Sequence, residues 1–370
     1  LIIVGKEKEL TIIDRLGRDV TIKKPVNRIV SITIGPDIEV LRALNANEKV
    51  VGIDDFVVDQ ELYFPEVSKL PCIGSIFMPD YEAIFALNPD LVIMRANFLK
   101  LATPDIFVEA GISVAGLQFM TYGTEDPKER SENVLKLGYI LDKEDEAKEF
   151  IDFIQDSEAE LYEMVKELVP EEEDRPKVYI EGPRSDYMIS GKRSPMARLC
   201  RLAGGRSISN ELDLSSACGK VQACGKVQAC GKVQVRGIMV DPEWVIEQNP
   251  DIIFKMILMG AAHAPCPAGY ETDDPSGLKE SRDKIMNRPE LAEVNAVKNG
   301  RVYVMTCFGQ TPAACTGIPY MAKAIYSDIF SDLDANENHQ QYLTEFQGLD
   351  YNLDEHGVFI YHPVYFPEGR

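Results

Sequence analysis

The chain has 370 residues, 60 of them acidic and 39 basic, for a net charge of −21. With 45% hydrophobic and 27% charged residues it has the make-up of a globular protein large enough for two domains. That charge repels nucleic acid and anionic membrane surfaces, and no apolar run reaches the roughly 20 residues a membrane helix needs.

The opening Leu1-Ile2-Ile3-Val4 is too short for a signal-peptide core and lacks a basic start, so a chain whose export signal has been removed is the expectation. Arg28 to Ile32 reads as a short apolar strand, followed by a Gly35-Pro36 turn and a helix through Leu41 and Leu44. Lys49 to Ile53 is the next strand. Pro79 to Ile84 opens a helix, with proline at its start and acids in its first turn. Asn88-Pro89-Asp90 ends that helix and launches the strand Leu91 to Met94. A helix near Asp105 to Ala110 and a strand at Ile112 to Ala115 complete a first lobe, residues 1–141. Strands alternating with helices predict a mostly parallel sheet covered on both faces.

The longest helical pattern runs from Asp142 to Val169, within a bridging segment 142–170. Phe150, Ile154, Leu161, Val165 and Leu168 form its apolar stripe, over a length of roughly 40 Å. The alternation then restarts in a second lobe, residues 171–370. Lys177 to Glu181 and Tyr187 to Ile189 read as strands, and Pro195 to Ala203 as a helix stopped by Gly204-Gly205. Asp241 to Ile246 opens a helix that ends at Asn249-Pro250-Asp251, before the strand Ile252 to Phe254. This copies the pattern of Pro79 to Ile93, so two similar α/β lobes joined by a long helix are predicted. Gly300 to Val304 is a last strand, and Ile318 to Phe330 and Gln341 to Phe346 read as helices. The aromatic tail from Tyr351 to Arg370 is expected to lie over the second lobe.

Three of the eight cysteines, Cys218, Cys224 and Cys230, fall in three copies of Ala-Cys-Gly-Lys-Val-Gln at residues 217–234. The repeat is shorter than a solenoid unit and lacks the closer pairs of zinc sites, so it reads as an insertion in a surface loop. Cys307 and Cys315 are candidates for a disulfide in an oxidising compartment.

Several segments, in order, resemble one family. Thr11 to Val20, Pro25 with Arg28 to Ser31, Asn45 to Ile53, Glu82 to Ile93, Glu243 to Phe254 and Asn295 to Tyr303 are similar to the extracytoplasmic substrate-binding proteins of ABC importers for ferric siderophores, haem and vitamin B12. The resemblance implies two α/β lobes bridged by one rigid helix, a ligand held between them, a membrane permease as partner, and a monomer at work outside the cytoplasm. It implies no catalysis, resident cofactor or protein-bound metal. Glu82 and Glu243 occupy matched places in the two copies, and the resemblance assigns them to docking on permease arginines. Each is also a glutamate that suits a helix start.

Ligand contacts are expected on loops that follow the strands. In the first lobe these loops hold Pro36 in Ile34-Gly35-Pro36, Ser75 and Phe77 in Gly74 to Met78, and Arg95 with Phe98. In the second lobe they hold Arg184 in Glu181 to Arg184, Tyr187, and Phe308 in Phe308 to Thr311. Arg95 and Arg184 suit a carboxylate, catecholate or oxyanion, unless each pairs with one of the many surface acids. Phe77, Tyr187 and Phe308 are candidates for stacking on a planar ligand or, alternatively, for the lobe cores.

All four histidines lie in the last third of the chain, which disfavours a zinc site built from both lobes and a chelatase. No G-x-S-x-G, G-x-x-x-x-G-K-[ST] or H-E-x-x-H occurs, which leaves hydrolase, nucleotide and metalloprotease chemistry without support. A ferric siderophore is the first expected ligand, molybdate or tungstate the second, and cobalamin or haem the third. Gly309 to Tyr326 resembles the branch that includes the oxyanion binders.

Overall fold

The computed structural model describes residues 3–6, 8–99, 105–119, 127–169, 171–189, 191–192, 194–212, 222–223, 226–229, 232–235, 238–259, 267–308 and 311–370. Gly309, Gln310, His263 and the three repeat cysteines lie outside them. By packing, the described residues of Leu1–Gln155 and Leu343–Asp350 form one unit. Asp156–Met259, Cys266–Tyr342 and Tyr351–Arg370 form the other.

The first unit holds an antiparallel sheet of β1 (Ile3–Lys6), β2 (Glu9–Ile13) and β3 (Asp19–Lys23), which the sequence pattern did not announce. Its turn is built on Asp14, whose carboxylate accepts the Leu16 and Arg18 amides, the Arg18 guanidinium and the Gly116 amide. The main sheet consists of β4 (Ile29–Ile32), β5 (Val50–Gly52), β6 (Leu91–Arg95) and β7 (Ser113–Leu117). They lie in the order β5-β4-β6-β7, every pair parallel. Burial on both faces explains the near-continuous apolar runs Ile29–Ile32 and Leu91–Met94. Segment Leu343–Asp350, expected in the second lobe, belongs here because Phe346 packs on Phe150 and Phe153 at 5.3 and 4.7 Å, and Gln347 donates to the Glu39 carbonyl.

In the second unit β8 (Lys177–Glu181), β15 (Ile252–Ile257) and β16 (Val302–Thr306) form the parallel centre, and β10 (Arg206–Ser207) adds to β8 in parallel. The sheet extends antiparallel through β9 (Met188–Ile189), β14 (Ile238–Met239) and β11 (Gln222–Ala223) on one side, and through β17 (Ile360–Tyr361) on the other. Strand β17 places that part of the tail in this unit's sheet. Strands β12 (Lys226–Ala229) and β13 (Lys232–Val235), inside the repeat, form a separate antiparallel pair.

The duplicated motif has one physical explanation in both units. Helices Tyr81–Ala86 and Pro242–Gln248 are capped by Asp80 and Asp241, whose carboxylates accept the Ala83 and Glu243 amides. Asn88 and Asn249 then turn left-handed at φ 44° to end each helix. Asp90 accepts the amides of Asn27 and Arg28, and Asp251 accepts that of Lys177, which sets the entry of the neighbouring strand.

The long helix is observed as Glu144–Leu168. Its second half anchors in the second unit through Glu158, which receives both arms of Arg198 from helix Pro195–Leu202, at 2.7 and 2.5 Å. The predicted helix from Ile318 stops at Ile325, where Tyr326 leaves helical geometry and its hydroxyl donates to the Gly204 carbonyl. The segment read as a helix from Gln341 to Phe346 is an α-helix over Glu337–Gln341 that continues as a π-helix over Tyr342–Phe346. Cys307 and Cys315 are free, buried thiols, so the disulfide expected there is not formed. No helix among the described residues is long and apolar enough to cross a membrane. Replacing Glu158 with alanine strands a buried guanidinium, and chemical denaturation should register a loss of roughly 3–5 kcal/mol. A loss within error would assign the anchoring elsewhere.

Candidate functional site

In the first unit the loop after β4 is built around two buried carboxyls. Ile34 adopts φ 66°, unfavourable for a β-branched residue, and its amide donates to Asp54 at 2.7 Å. The other Asp54 oxygen accepts the Phe56 amide. Asp37 lies one turn on and accepts the Thr33 hydroxyl. Burial raises both acids against these hydrogen bonds, Asp37 to about 6 and Asp54 to about 7. Pro36, expected at the ligand, is buried at the first position of helix Pro36–Ala43, where it starts the helix. The half-exposed side chain of this loop is Ile34.

The turn before helix Tyr81–Ala86 presents an apolar tip. Gly74 at φ 82° permits it, since a Cβ there would lie 2.6 Å from the Met78 carbonyl oxygen. Ser75 closes the turn by accepting the Met78 amide, so its hydroxyl has a structural task. Phe77 is 68% and Met78 80% exposed. Phe77 meets Phe98 edge-on at 5.0 Å, and the Arg95 guanidinium at the end of β6 lies 5.7 Å from the Phe98 ring. Arg95, Phe98 and Phe77 therefore form one row at the carboxyl end of the parallel sheet.

In the second unit the turn after β8 carries exposed Arg184 and half-buried Tyr187. Tyr187, read from the sequence as the start of a strand, is left-handed at φ 55°. Its amide donates to Glu181, its hydroxyl donates to Glu290, and the Arg288 guanidinium lies 4.8 Å from its ring. Glu181 is fully buried and bonded to Lys255 and Arg288. Burial pushes its carboxyl up, but the two cations outweigh that and hold it below the ordinary range.

Sequence reasoning missed Lys255 and Arg288, which lie far from Glu181 along the chain. The available signal was a lysine inside the apolar strand Ile252–Ile257.

Phe308 is a correction. It is 1% exposed, stacked on Tyr320 at 5.4 Å and edge-on to His339 at 5.6 Å. Gly317 allows that approach, because a Cβ there would lie 2.6 Å from Phe308. A ring enclosed in this way is core and offers no face to a ligand. Glu82 and Glu243 are exposed in the first turns of matched helices. Among the described residues no group of His, Cys, Asp and Glu side chains is arranged to hold a metal ion.

The pattern of the family described as periplasmic binding protein matches residues 30–306. The chain belongs to that family. It is 25% identical over 331 residues to the ABC transporter substrate-binding lipoprotein YvrC of Bacillus subtilis, covering 87% of each chain. It is 24% identical to the petrobactin-binding protein YclQ of Bacillus subtilis, covering 80% of each. Among solved structures it is similar to FepB of Veillonella parvula, with a TM-score of 0.69 at 22% identity, covering 95% of this chain and 99% of that one. It is also similar to molybdate-bound MolA of Haemophilus influenzae, with a TM-score of 0.66 at 18% identity, covering 92% and 99%. At these identities the structural likenesses establish the two-unit α/β fold of the family.

Because the folded state keeps protons on Asp37 and Asp54 above the unfolded value of 3.8, it binds more protons than the unfolded state up to about pH 7. Their contribution to stability is full below pH 4 and is lost as pH rises through 6 to 7. Asp37→Asn should flatten the fall in melting temperature across that window, and an unchanged slope would refute the assignment. Phe308→Ala should cost roughly 3–5 kcal/mol of stability, measured by denaturation. A cost near zero would return Phe308 to the ligand candidates.

Proposed function

We propose that this protein is the extracytoplasmic substrate-binding subunit of an ABC importer and captures an anionic ferric siderophore or similar metal chelate for delivery to a membrane permease. The observation that carries the reading is an arginine at the carboxyl end of each unit's parallel sheet, with an aromatic residue close to it in the chain. In the first unit this is Arg95 with Phe98 and exposed Phe77, and in the second it is Arg184 on the turn whose Tyr187 lies under Arg288. Guanidinium groups suit carboxylate or catecholate oxygens, and the rings suit a planar aromatic ligand. Arg95, Phe77, Arg184 and Tyr187 remain as ligand residues, with Ser75 shaping the turn. Capture needs no catalysis, resident cofactor or second copy of the chain. The relatives YvrC, a lipoprotein of an ABC transporter, and YclQ, a petrobactin binder, support both location and cargo class.

The likeness to molybdate-bound MolA raises an oxyanion as the second reading. A small oxyanion favours a helix start with free amides and no acid. Helix Pro36–Ala43 instead begins with an amide-less proline and carries Asp37 and Glu39 in its first turn. This favours the chelate.

A thermal-shift panel of ferric siderophores, haemin, cobinamide, molybdate and tungstate tests the reading. A ligand at a hundred times its Kd should add about 2.7 kcal/mol of stability, and the expected responder is a ferric chelate. A response confined to molybdate and tungstate would replace the proposal with the oxyanion reading, and no response from the folded protein would remove both. Glu82 and Glu243 are proposed as the permease-docking pair. The double alanine variant should keep chelate affinity and lose uptake in cells carrying the permease, whereas unchanged uptake would end that assignment.

A further inference from the structure

We propose that Arg288 and Lys255 are positioning residues for ligand capture: through buried Glu181 they clamp the 182–187 turn so that Arg184 and Tyr187 are presented at the carboxyl end of the second unit's sheet. This inference rests on the reading of the protein as a chelate-binding subunit, and it adds residues that touch the turn rather than the ligand.

The clamp grips both ends of the turn. Lys255 donates to Glu181 Oε1 and to the Gly182 carbonyl, each at 2.9 Å, and so fixes the entry. Arg288 straddles the same carboxylate, with Nη1 on Oε2 at 2.6 Å and Nη2 on Oε1 at 3.0 Å. Its Nη2 also reaches Asp186 at 2.8 Å, and its plane covers the Tyr187 ring, so it fixes the exit. Glu181 Oε2 accepts the Tyr187 amide at 3.1 Å and the Tyr179 hydroxyl at 3.2 Å. The Tyr187 carbonyl then accepts the Val240 amide at 3.0 Å, which ties the exit to the residue directly after β14.

Two features indicate that this network serves more than folding. Tyr187 is held left-handed, a conformation unfavourable for a bulky residue, and strain of that kind persists where surrounding bonds over-determine it. The side chain left outside the grip is exposed Arg184. The charge balance points the same way. Two cations about one-tenth exposed, Lys255 and Arg288, face one fully buried anion, while the Asp186 carboxylate is 70% exposed. Within the cluster the two cations therefore balance Glu181 and Asp186, and the cation that the turn itself adds is Arg184.

The test compares the wild type with Arg288→Lys, Arg288→Gln, Asp186→Asn and Asp186→Glu in the full chain, with a ferric tris-catecholate as probe. Lysine at 288 keeps the charge that compensates Glu181 and lacks the planar fork, so it preserves folding while releasing the exit of the turn. Arg288→Lys and Arg288→Gln should speed amide hydrogen exchange at Tyr187 and Val240 about tenfold and weaken chelate binding about tenfold, the loss expected for one charged hydrogen bond. Asp186→Asn should show a smaller loss in both, and Asp186→Glu should restore both. Faster exchange with unchanged affinity would overturn the positioning role, and unchanged exchange in both Arg288 variants would overturn the clamp itself. A wild type that binds no ferric chelate would overturn the parent reading and the positioning role with it, while the exchange rates would still report on the clamp.

Discussion

Both parallel sheets depend on one interaction, an aspartate that pairs reciprocally with the start of its neighbouring strand. Asp90 accepts the Asn27 and Arg28 amides while its own amide donates to the Arg28 carbonyl. Asp251 does the same with Lys177, accepting its amide and donating to its carbonyl. A left-handed asparagine and a proline deliver each aspartate from the preceding helix to that position. With register set at the amino ends, the loops at the carboxyl ends are free to differ between the units. One unit carries the Arg95–Phe98–Phe77 row there, and the other carries the turn bound by Glu181.

This division explains what could be read in the sequence. The Asn-Pro-Asp copies are local, each within a few residues of the apolar strand it launches, so the duplication and the long helix were legible. Helix Pro127–Leu141 was not, in part because Gly138 sits inside it. That glycine lowers helix propensity but allows close packing, as a Cβ there would lie 2.8 Å from that of Ala147. The short strands β10, β11 and β14 have two residues each and leave almost no periodicity to detect.

The candidate site was legible only in part, and for a similar reason. Arg95, Arg184, Phe77 and Tyr187 follow strands or turns directly, so their place near the carboxyl ends could be read from local pattern. Whether a ring there is exposed depends on distant packing. Phe77 stays open, whereas Phe308 is enclosed by Tyr320, His339 and Phe359 from later segments. The acids Asp37 and Asp54 hold the Ile34 loop from inside, and Glu181 with its two cations holds the turn at Tyr187. Asp54 is held by the Ile34 amide, 20 residues away, and Glu181 by two cations more than 70 residues away, and only assembly of the chain reveals such pairs.

In the proposed reading, charge is the feature that selects the ligand. The most direct test is a binding titration of the wild type and Arg95→Gln with two ferric complexes of similar size, an anionic tris-catecholate and a neutral tris-hydroxamate. The account predicts that the wild type prefers the anion by about tenfold or more, the worth of a charge-assisted hydrogen bond, and that Arg95→Gln loses most of that preference. Equal affinity for the two complexes, or a preference that survives the loss of Arg95, would contradict it.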